Sequence, residues 1–191
     1  MAEPPSDGDL LRRARAGDAG AFALVYGRHR DVVFRFAARL SGSPQTAEDV
    51  THDCFLALVT GPNGFDPARA ALRTYLCAAA RNRVFKRFRS DARTAGALDD
   101  ETPDAPIDLP EQIDRAAAVQ AAVAALPPLQ REMVALVEYE GCTLAEAAAV
   151  AGADVGTVKS RLHRARAALR RALAAHDDRR TARAAAGGSH D

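Results

Sequence analysis

Apolar residues recur at three- and four-residue steps through most of this 191-residue chain, and this spacing limits its fold more than any other feature. It places apolar side chains on one face of a helix and leaves arginines and acids on the other face. Aromatic residues make up only 5% of the chain, and the abundance of alanine, leucine and arginine favours helix over sheet. We therefore expect an all-α protein and exclude an all-β one.

The net charge of +1 is distributed unevenly along the chain. Residues 1–90 carry a net charge of +5, residues 91–112 one of −6, and residues 113–191 one of +2. Two windows are almost purely basic, one over 81–89 and one over 155–171. A solvated helix face would explain a single basic run. Two such runs, each ending an apolar-periodic segment, indicate two modules that bind a polyanion.

The periodic pattern predicts two small helical domains joined by an extended acidic linker. The first domain, residues 10–90, is expected to be a helical bundle with helices over about 21–40, 44–59 and 68–90. Ser43 is the expected N-cap of the second of these helices, because proline follows it at the first helical position.

Residues 91–112 form the predicted linker, because acids and prolines replace the helical pattern there. The pattern resumes over 113–176, which forms the second domain. Residues 177–191 have no apolar pattern and are expected to be a disordered tail.

The second domain contains the signals of a helix-turn-helix. Thr143 and Glu146 have the spacing of a capping box that begins a short helix. Gly152 makes the turn, and Asp154 caps a long helix expected from Val155 to about Ala175. In this motif the start of the second helix enters the DNA major groove. Its outward residues are the expected DNA contacts: Thr157, Lys159, Ser160, Arg161, His163 and Arg164.

Other kinds of site find no support in the sequence. Cys54, Cys77 and Cys142 are odd in number and far apart, which favours reduced buried thiols over a disulfide framework. His52 beside Cys54 lacks a second ligand pair at zinc spacing, so no metal is expected. Without a phosphate-binding loop or an activated nucleophile, we expect no cofactor and no enzymatic activity. No signal peptide or membrane-inserting stretch is found, so we expect a cytoplasmic protein.

One family resemblance rests on the segment LPPLQREMVALVEYEGCTLAEAAAVAGADVGTVKSRLHRARAALRRAL. It resembles the C-terminal domain of the extracytoplasmic-function (ECF, group IV) sigma factors of bacterial RNA polymerase, and GTVKSRLHRAR is its most specific part. The segment TAEDVTHDCFLAL is similar to the family's helix that grips the β′ clamp helices of the polymerase. The family's segment that melts and reads the −10 element is similar to FDPARAALRTYLCAAARNRVFKRFR. The resemblance covers about residues 10–175.

The resemblance implies a sigma factor that binds core RNA polymerase, at its β′ clamp helices and β flap, and directs promoter-specific transcription initiation. Promoter DNA and an anti-sigma factor are the other implied partners. Asp49 and Asp53 match the polymerase contacts, and the helix-turn-helix residues would read the −35 element. Asn82 would help to hold a flipped −10 base, with Phe65 near its pocket. The other implied −10 contacts are Tyr75, Arg81, Arg83, Lys86, Arg87 and Arg89.

The chain departs from the family pattern at three sites. Tyr75 stands where the family usually has tryptophan, and Phe85 or Lys86 where it has aspartate. His52 and Asp53 stand where it usually has Gln-Glu. The first two departures affect which −10 sequence the protein prefers, and the third affects its affinity for the β′ clamp helices.

Two other functions stay open. A sigma-like decoy would sequester an anti-sigma factor without engaging a promoter, but it would not need the basic residues that this chain keeps. A plain helix-turn-helix repressor would act as a dimer on a palindrome. It would need neither the clamp-like helix nor a linker of 22 residues.

Overall fold

The computed structural model describes residues 4–61, 65–91, 106–110 and 112–187, and all regular structure within them is helical. A π-helical segment, Ala135–Tyr139, continues the sixth α-helix. The expected all-α fold is confirmed. The α-helices are α1 (Asp7–Arg15), α2 (Ala19–Ser41), α3 (Pro44–Thr60), α4 (Leu72–Asp91), α5 (Arg115–Ala125), α6 (Pro128–Val134), α7 (Leu144–Ala151) and α8 (Val155–Gly187).

Helices α1 to α4 form a bundle in which α2 packs against each of the other three. Asp18 and Ser43 cap α2 and α3 by accepting a hydrogen bond from the N–H three residues later, which satisfies a donor that has no partner inside the helix. The predicted cap at Ser43 is confirmed. The largest buried side chains of the bundle are Leu10, Val25, Phe36, Leu40, Phe55, Leu58 and Leu76.

The structure differs from the sequence prediction at two helix starts. Helix α1 was not predicted. It forms because Ser6 caps it and because its leucines are buried against the bundle. Helix α4 begins at Leu72 and not near residue 68. The N–H of Ala68 instead bonds the Asp66 carboxylate at 2.9 Å, which favours a local turn over a helix.

The helix-turn-helix of the second domain is formed by α7 and α8. Thr143 and Glu146 make both hydrogen bonds of the predicted capping box. Gly152 ends α7 with a φ of 62°, in the left-handed region that favours glycine. Val158 and Leu162 of α8 are buried against the rest of the second domain.

Replacing Thr143 with alanine should lower the free energy of unfolding by about 0.5–2 kcal/mol, because an N–H at the start of α7 loses its partner. Urea unfolding followed by circular dichroism measures the change. Thr60→Ala is the matched control, since among the described residues that hydroxyl donates to the Leu56 carbonyl inside α3 and caps no helix start. Equal losses in the two variants would show that the capping box contributes nothing.

Helix α8 continues to Gly187, which corrects the prediction of a helix ending near Ala175 and a disordered tail from residue 177. Alanine and arginine in this stretch favour helix even without an apolar stripe. Tertiary contacts hold it in place: His176 is buried, and Asp177 pairs with Arg115 of α5. Residues 188–191 of the predicted tail lie outside the described residues.

Residues 92–105 and 111 of the predicted linker also lie outside the described residues. The described end of this segment, 106–110, contacts the second domain. Leu109 is buried in a small cluster with alanines of α5 and α8, and its carbonyl accepts a hydrogen bond from Arg179 at 3.0 Å. This end of the segment is therefore attached to the second domain.

The two predicted domains pack directly against each other. One continuous apolar cluster includes residues of α2 and α4 from the first domain and of α6 and α7 from the second. Cys77 of α4 and Cys142, just before α7, are both buried in this cluster. Together with Cys54 they are free and buried, so the prediction of reduced buried thiols is confirmed.

Candidate nucleic-acid interface

The start of α8 is held by its cap. The Asp154 carboxylate accepts hydrogen bonds from the Thr157 hydroxyl at 2.7 Å and from the Thr157 N–H at 2.8 Å. These bonds hold the pKa of Asp154 below its usual value. Thr157 is therefore half-buried and serves the cap, although it was predicted as a DNA contact. The fixed helix start orients the residues that follow.

Three predicted −35 contacts face solvent on the next turns of α8. Lys159, Ser160 and His163 are exposed, and Arg164 is half-buried. From Val155 to Ala175 the helix carries no acidic residue, so its potential is positive. Lysine and serine can contact phosphates, and arginine can donate two hydrogen bonds to guanine.

Arg161 is placed differently from the prediction. Its exposed fraction is only 8%, so it does not point outward with its neighbours on α8. It lies close enough to Glu132 of α6 to favour the charged form of that carboxyl. Arg161 faces the interior because it follows Val158, which is buried, by three residues on the helix.

The predicted −10 surface begins with an aromatic pair. The rings of Phe65 and Tyr75 meet edge to face, with centroids 5.7 Å apart, although the two residues lie on either side of the turn that precedes α4. Both rings are half-buried, so part of each is accessible. The structure thus brings together two of the predicted −10 contacts.

A polar stripe runs along α4 from this pair. Asn82 lies seven residues after Tyr75, and Lys86 and Arg89 follow it four and seven residues later, which keeps all four on one face of the helix. The last three of these residues are exposed. This stripe combines stacking, hydrogen-bonding and cationic groups in a row.

The other arginines of α4 are engaged by protein groups. Arg83 donates to the backbone carbonyl of Asp53 at 3.2 Å, and Arg87 pairs with Asp49 at 3.2 Å. These contacts join the predicted −10 surface to the predicted polymerase surface on α3. Arg81 pairs with Glu132 of the second domain at 2.6 Å.

Phe85 explains one departure from the family pattern. Its ring is buried, stacks edge to face on Phe88 at 5.8 Å and lies under the Arg81 guanidinium. Phe85 is therefore a core residue of the first domain. The surface position beside Asn82 belongs to Lys86, which is exposed.

The exposed face of α3 carries a residue that the sequence reasoning missed. Asp49 and Asp53 are exposed, and Leu56 follows on the same face with 53% of its surface exposed. The signal was available, because Leu56 lies opposite the buried series of Val50, Cys54 and Leu58. Leu56 therefore lies beside the two predicted polymerase contacts on the exposed face of α3.

In the part of the chain that the structure describes, no group of three or more histidine, cysteine or acidic residues is arranged to hold a metal ion. None of the helices within those residues is long and apolar enough to cross a membrane.

Two family models match this chain. The model described as Sigma-70 region 2 matches residues 25–94, and the model described as Sigma-70, region 4 matches residues 116–169. The first match includes α3 and α4, and the second includes the helix-turn-helix.

Among solved structures, the chain is similar to CnrH in its complex with the cytosolic domain of CnrY. The TM-score is 0.66 with 28% identity over 90% of this chain and 99% of the other. It is also similar to the sigma factor RpoE in complex with the anti-sigma factor NepR from Bartonella quintana, with a TM-score of 0.63. That identity is 25% over 80% of this chain and 96% of the other.

Named relatives agree with these matches. The ECF RNA polymerase sigma factor SigM of Mycobacterium tuberculosis is 36% identical over 169 residues, which covers 88% of this chain and 85% of SigM. BldN of Streptomyces coelicolor, also an ECF RNA polymerase sigma factor, is 35% identical over 86% of this chain and 65% of its own length. The chain therefore belongs to the ECF sigma factors, which direct transcription initiation by RNA polymerase.

Proposed function

We propose that this sigma factor, a member of group IV, recognises promoters at two elements, a −10 element read by residues 10–90 and a −35 element read by residues 113–176. The acidic segment 91–112 connects the two DNA-binding domains. The observation that carries the proposal is the stripe on α4, because it pairs an accessible aromatic ring with an exposed amide and two exposed cations.

The stripe suits the chemistry of promoter melting. A base that leaves the duplex loses its stacking partner, and an aromatic ring can replace that partner. Tyr75 and Phe65 supply the ring faces, and Asn82 supplies hydrogen bonds to the base edge. Lys86 and Arg89 then hold the phosphates of the freed strand. For Arg83 and Arg87 to contact the −10 element, each must break its contact with α3 and bind DNA instead.

The −35 element is read by the start of α8 in the major groove. Lys159 and Ser160 bind phosphates and fix the register of the helix, while His163 and Arg164 contact base edges. Thr157 supports them through the Asp154 cap. Arg161 joins them only when it leaves its buried position.

Core RNA polymerase binds the exposed face of α3. Asp49, Asp53 and Leu56 form a contact for the β′ clamp helices, in which the leucine adds apolar area beside Asp53. The β flap binds the second domain. An anti-sigma factor is a further partner, since the similar RpoE structure contains one.

The protein acts in the cytoplasm, where the polymerase is, and regulates transcription without catalysing a reaction. The decoy and the plain repressor remain the competing functions. Nothing in the described surfaces favours either, because the basic stripe and the α3 face are both exposed.

Footprinting of the reconstituted holoenzyme tests the two-element proposal. We expect protection of two unequal sequence elements at a fixed spacing upstream of the start site. A symmetric footprint by the protein alone, unchanged by polymerase, would favour the repressor. Binding of an anti-sigma factor with no footprint would favour the decoy.

Replacing Arg164 with alanine should relax readout of the −35 element by about 1–3 kcal/mol, because a bidentate contact to one base is lost. The measurement is holoenzyme binding to promoters with each base at the contacted position. Lys159→Ala is the control, since loss of a phosphate contact weakens all sequences equally. An Arg164→Ala variant that kept full discrimination would contradict the assignment.

A further inference from the structure

The last part of α8 lies beyond every residue given a DNA role above. The helix runs from Val155 to Gly187, and its proposed DNA contacts end at Arg164. Because a helix rises about 1.5 Å per residue, it continues for about 35 Å after that contact. Within this extension, Ala172 is buried in a cluster with Leu109. The extension of α8 therefore contacts the described end of the acidic segment that joins the two domains.

Leu109 lies in a small apolar cluster that is distinct from the main core. It is 3% exposed and packs with Ala118 and Ala122 of α5 and with Ala172 of α8. These four residues are called the linker seat below. Burial of the leucine removes its apolar surface from water, which is the main favourable contribution of such a contact. The seat thus holds segment 106–110 between two helices of the second domain.

Arg179 adds polar contacts to the same segment. Its guanidinium donates a hydrogen bond to the backbone carbonyl of Leu109 at 3.0 Å and lies 3.6 Å from the carboxylate of Asp108. The side chain of Asp108 is 94% exposed, so solvent weakens this ion pair. The hydrogen bond to the backbone is therefore the stronger of the two contacts. It fixes the segment directly beside the buried leucine.

The end of α8 is itself held against α5. His176 is fully buried, and Asp177 pairs with Arg115 at the start of α5. Both residues lie within three positions of Arg179, so they fix the part of the helix that carries it. The linker seat and Arg179 are therefore parts of the folded second domain.

We propose that the linker seat and Arg179 form a clamp that limits the spacing between the −10 and −35 elements that the protein accepts. Without the clamp, the connection between the domains would run from Asp91, at the end of α4, to Arg115, at the start of α5. With the clamp, it ends at Leu109. A chain extends by at most about 3.3–3.6 Å per residue, so the clamp shortens the maximum span by about 20 Å.

The shorter connection restricts spacing in one direction. A length of about 20 Å equals about six base-pair steps of duplex DNA. The second of two linked binding events fails when the linker cannot span both sites, but it weakens only slowly when the linker is longer than needed. Release of the clamp should therefore extend the accepted spacings toward longer ones only. This effect on spacing rests on the proposed function, whereas the clamp itself does not.

Tryptophan fluorescence tests the clamp in the full chain without DNA. The chain contains no tryptophan, so Ile107→Trp places a single emitter at a half-buried position near Leu109. Adding Arg179→Ala removes a hydrogen bond from a charged donor, which should shift the equilibrium toward the released segment by about tenfold or more. We expect the emission to move to longer wavelength and quenching by acrylamide to increase.

The matched control is Arg180→Ala in the same tryptophan-containing chain. Arg180 is the next residue on α8 and is exposed, so its replacement removes the same charge and leaves the contacts of Arg179 in place. Equal emission and quenching in the two variants would overturn the clamp. If Ile107→Trp alone already emits as a fully exposed tryptophan, Pro106→Trp, at an exposed position, decides by fluorescence anisotropy.

Transcription by the reconstituted holoenzyme tests the effect on spacing. Leu109→Asp places an unpaired charge in the linker seat and should release the segment, whereas Pro106→Asp adds the same charge at an exposed position. On promoters lengthened by about one to three base pairs between the two elements, Leu109→Asp should keep about tenfold more of its activity than Pro106→Asp.

Two results would count against this account in different ways. Identical spacing profiles for Leu109→Asp and Pro106→Asp, with release of the segment seen by fluorescence, would overturn the effect on spacing. A wild-type protein that initiates at no promoter with two elements would contradict the proposed function and the effect on spacing with it. The comparison of Arg179→Ala with Arg180→Ala would still decide whether the clamp exists, because it involves no DNA.

Discussion

Replacing Asp53 with lysine should abolish transcription by the reconstituted holoenzyme. The carboxylate lies on the exposed face of α3, so the substitution leaves the core of the bundle intact. A reversed charge inside the proposed polymerase contact loses an attraction and adds a repulsion, and loss of one partner of a charge pair that the contact buries costs about 2–5 kcal/mol. We therefore expect core binding to weaken by about thirtyfold or more, which native gel filtration or fluorescence anisotropy with core polymerase measures.

The control for this variant is Asp31→Lys. Asp31 lies on α2 of the same domain, is exposed, and pairs only with its neighbour Arg30 among the ion pairs of the described residues. Its reversal changes the net charge equally but leaves the α3 face unchanged, so polymerase binding should be retained. Equal losses in both variants would indicate a general effect of charge and would exclude a specific contact at Asp53.

Replacing Tyr75 with alanine should weaken open-complex formation by about 1–3 kcal/mol, because the unstacked −10 base loses an aromatic surface. The ring is half-buried and packs edge to face on Phe65, so the loss also leaves that second ring poorly placed. Permanganate reactivity of the melted thymines measures the open complex directly.

Tyr75→Phe separates stacking from other roles of the residue, since it keeps the ring and removes the hydroxyl. We expect it to retain most melting activity. Binding to the −35 element alone should be normal in both variants, because α8 is untouched. If Tyr75→Ala melts promoters as well as the unchanged protein, the base pocket lies elsewhere.

Local signals in the sequence were sufficient to predict most of the secondary structure. Ser43, the box of Thr143 and Glu146, and Gly152 each act within a few residues, and the structure contains all of these caps and turns. The stripe of Asn82, Lys86 and Arg89 could also be predicted, because spacing along one helix determines which residues share a face.

The contacts between domains could not be predicted in this way. Arg81 and its partner Glu132 are 51 residues apart, and no local pattern marks a glutamate that will be buried. Arg161 was predicted to point outward because it belongs to a basic run, and its three-residue spacing from Val158, which places it on the buried side of α8, was overlooked. The far end of α8 was missed because Arg115 of another helix, α5, holds it through Asp177.

Run-off transcription with core polymerase, with and without this protein, on promoter fragments from the native genome tests the central claim most directly. We expect new start sites that appear only with the protein and share two spaced upstream elements. Those transcripts should disappear with Asp53→Lys and persist with Asp31→Lys. An absence of new transcripts with active core polymerase, while the protein still binds an anti-sigma factor or a symmetric DNA site, would contradict the claim that this chain selects promoters.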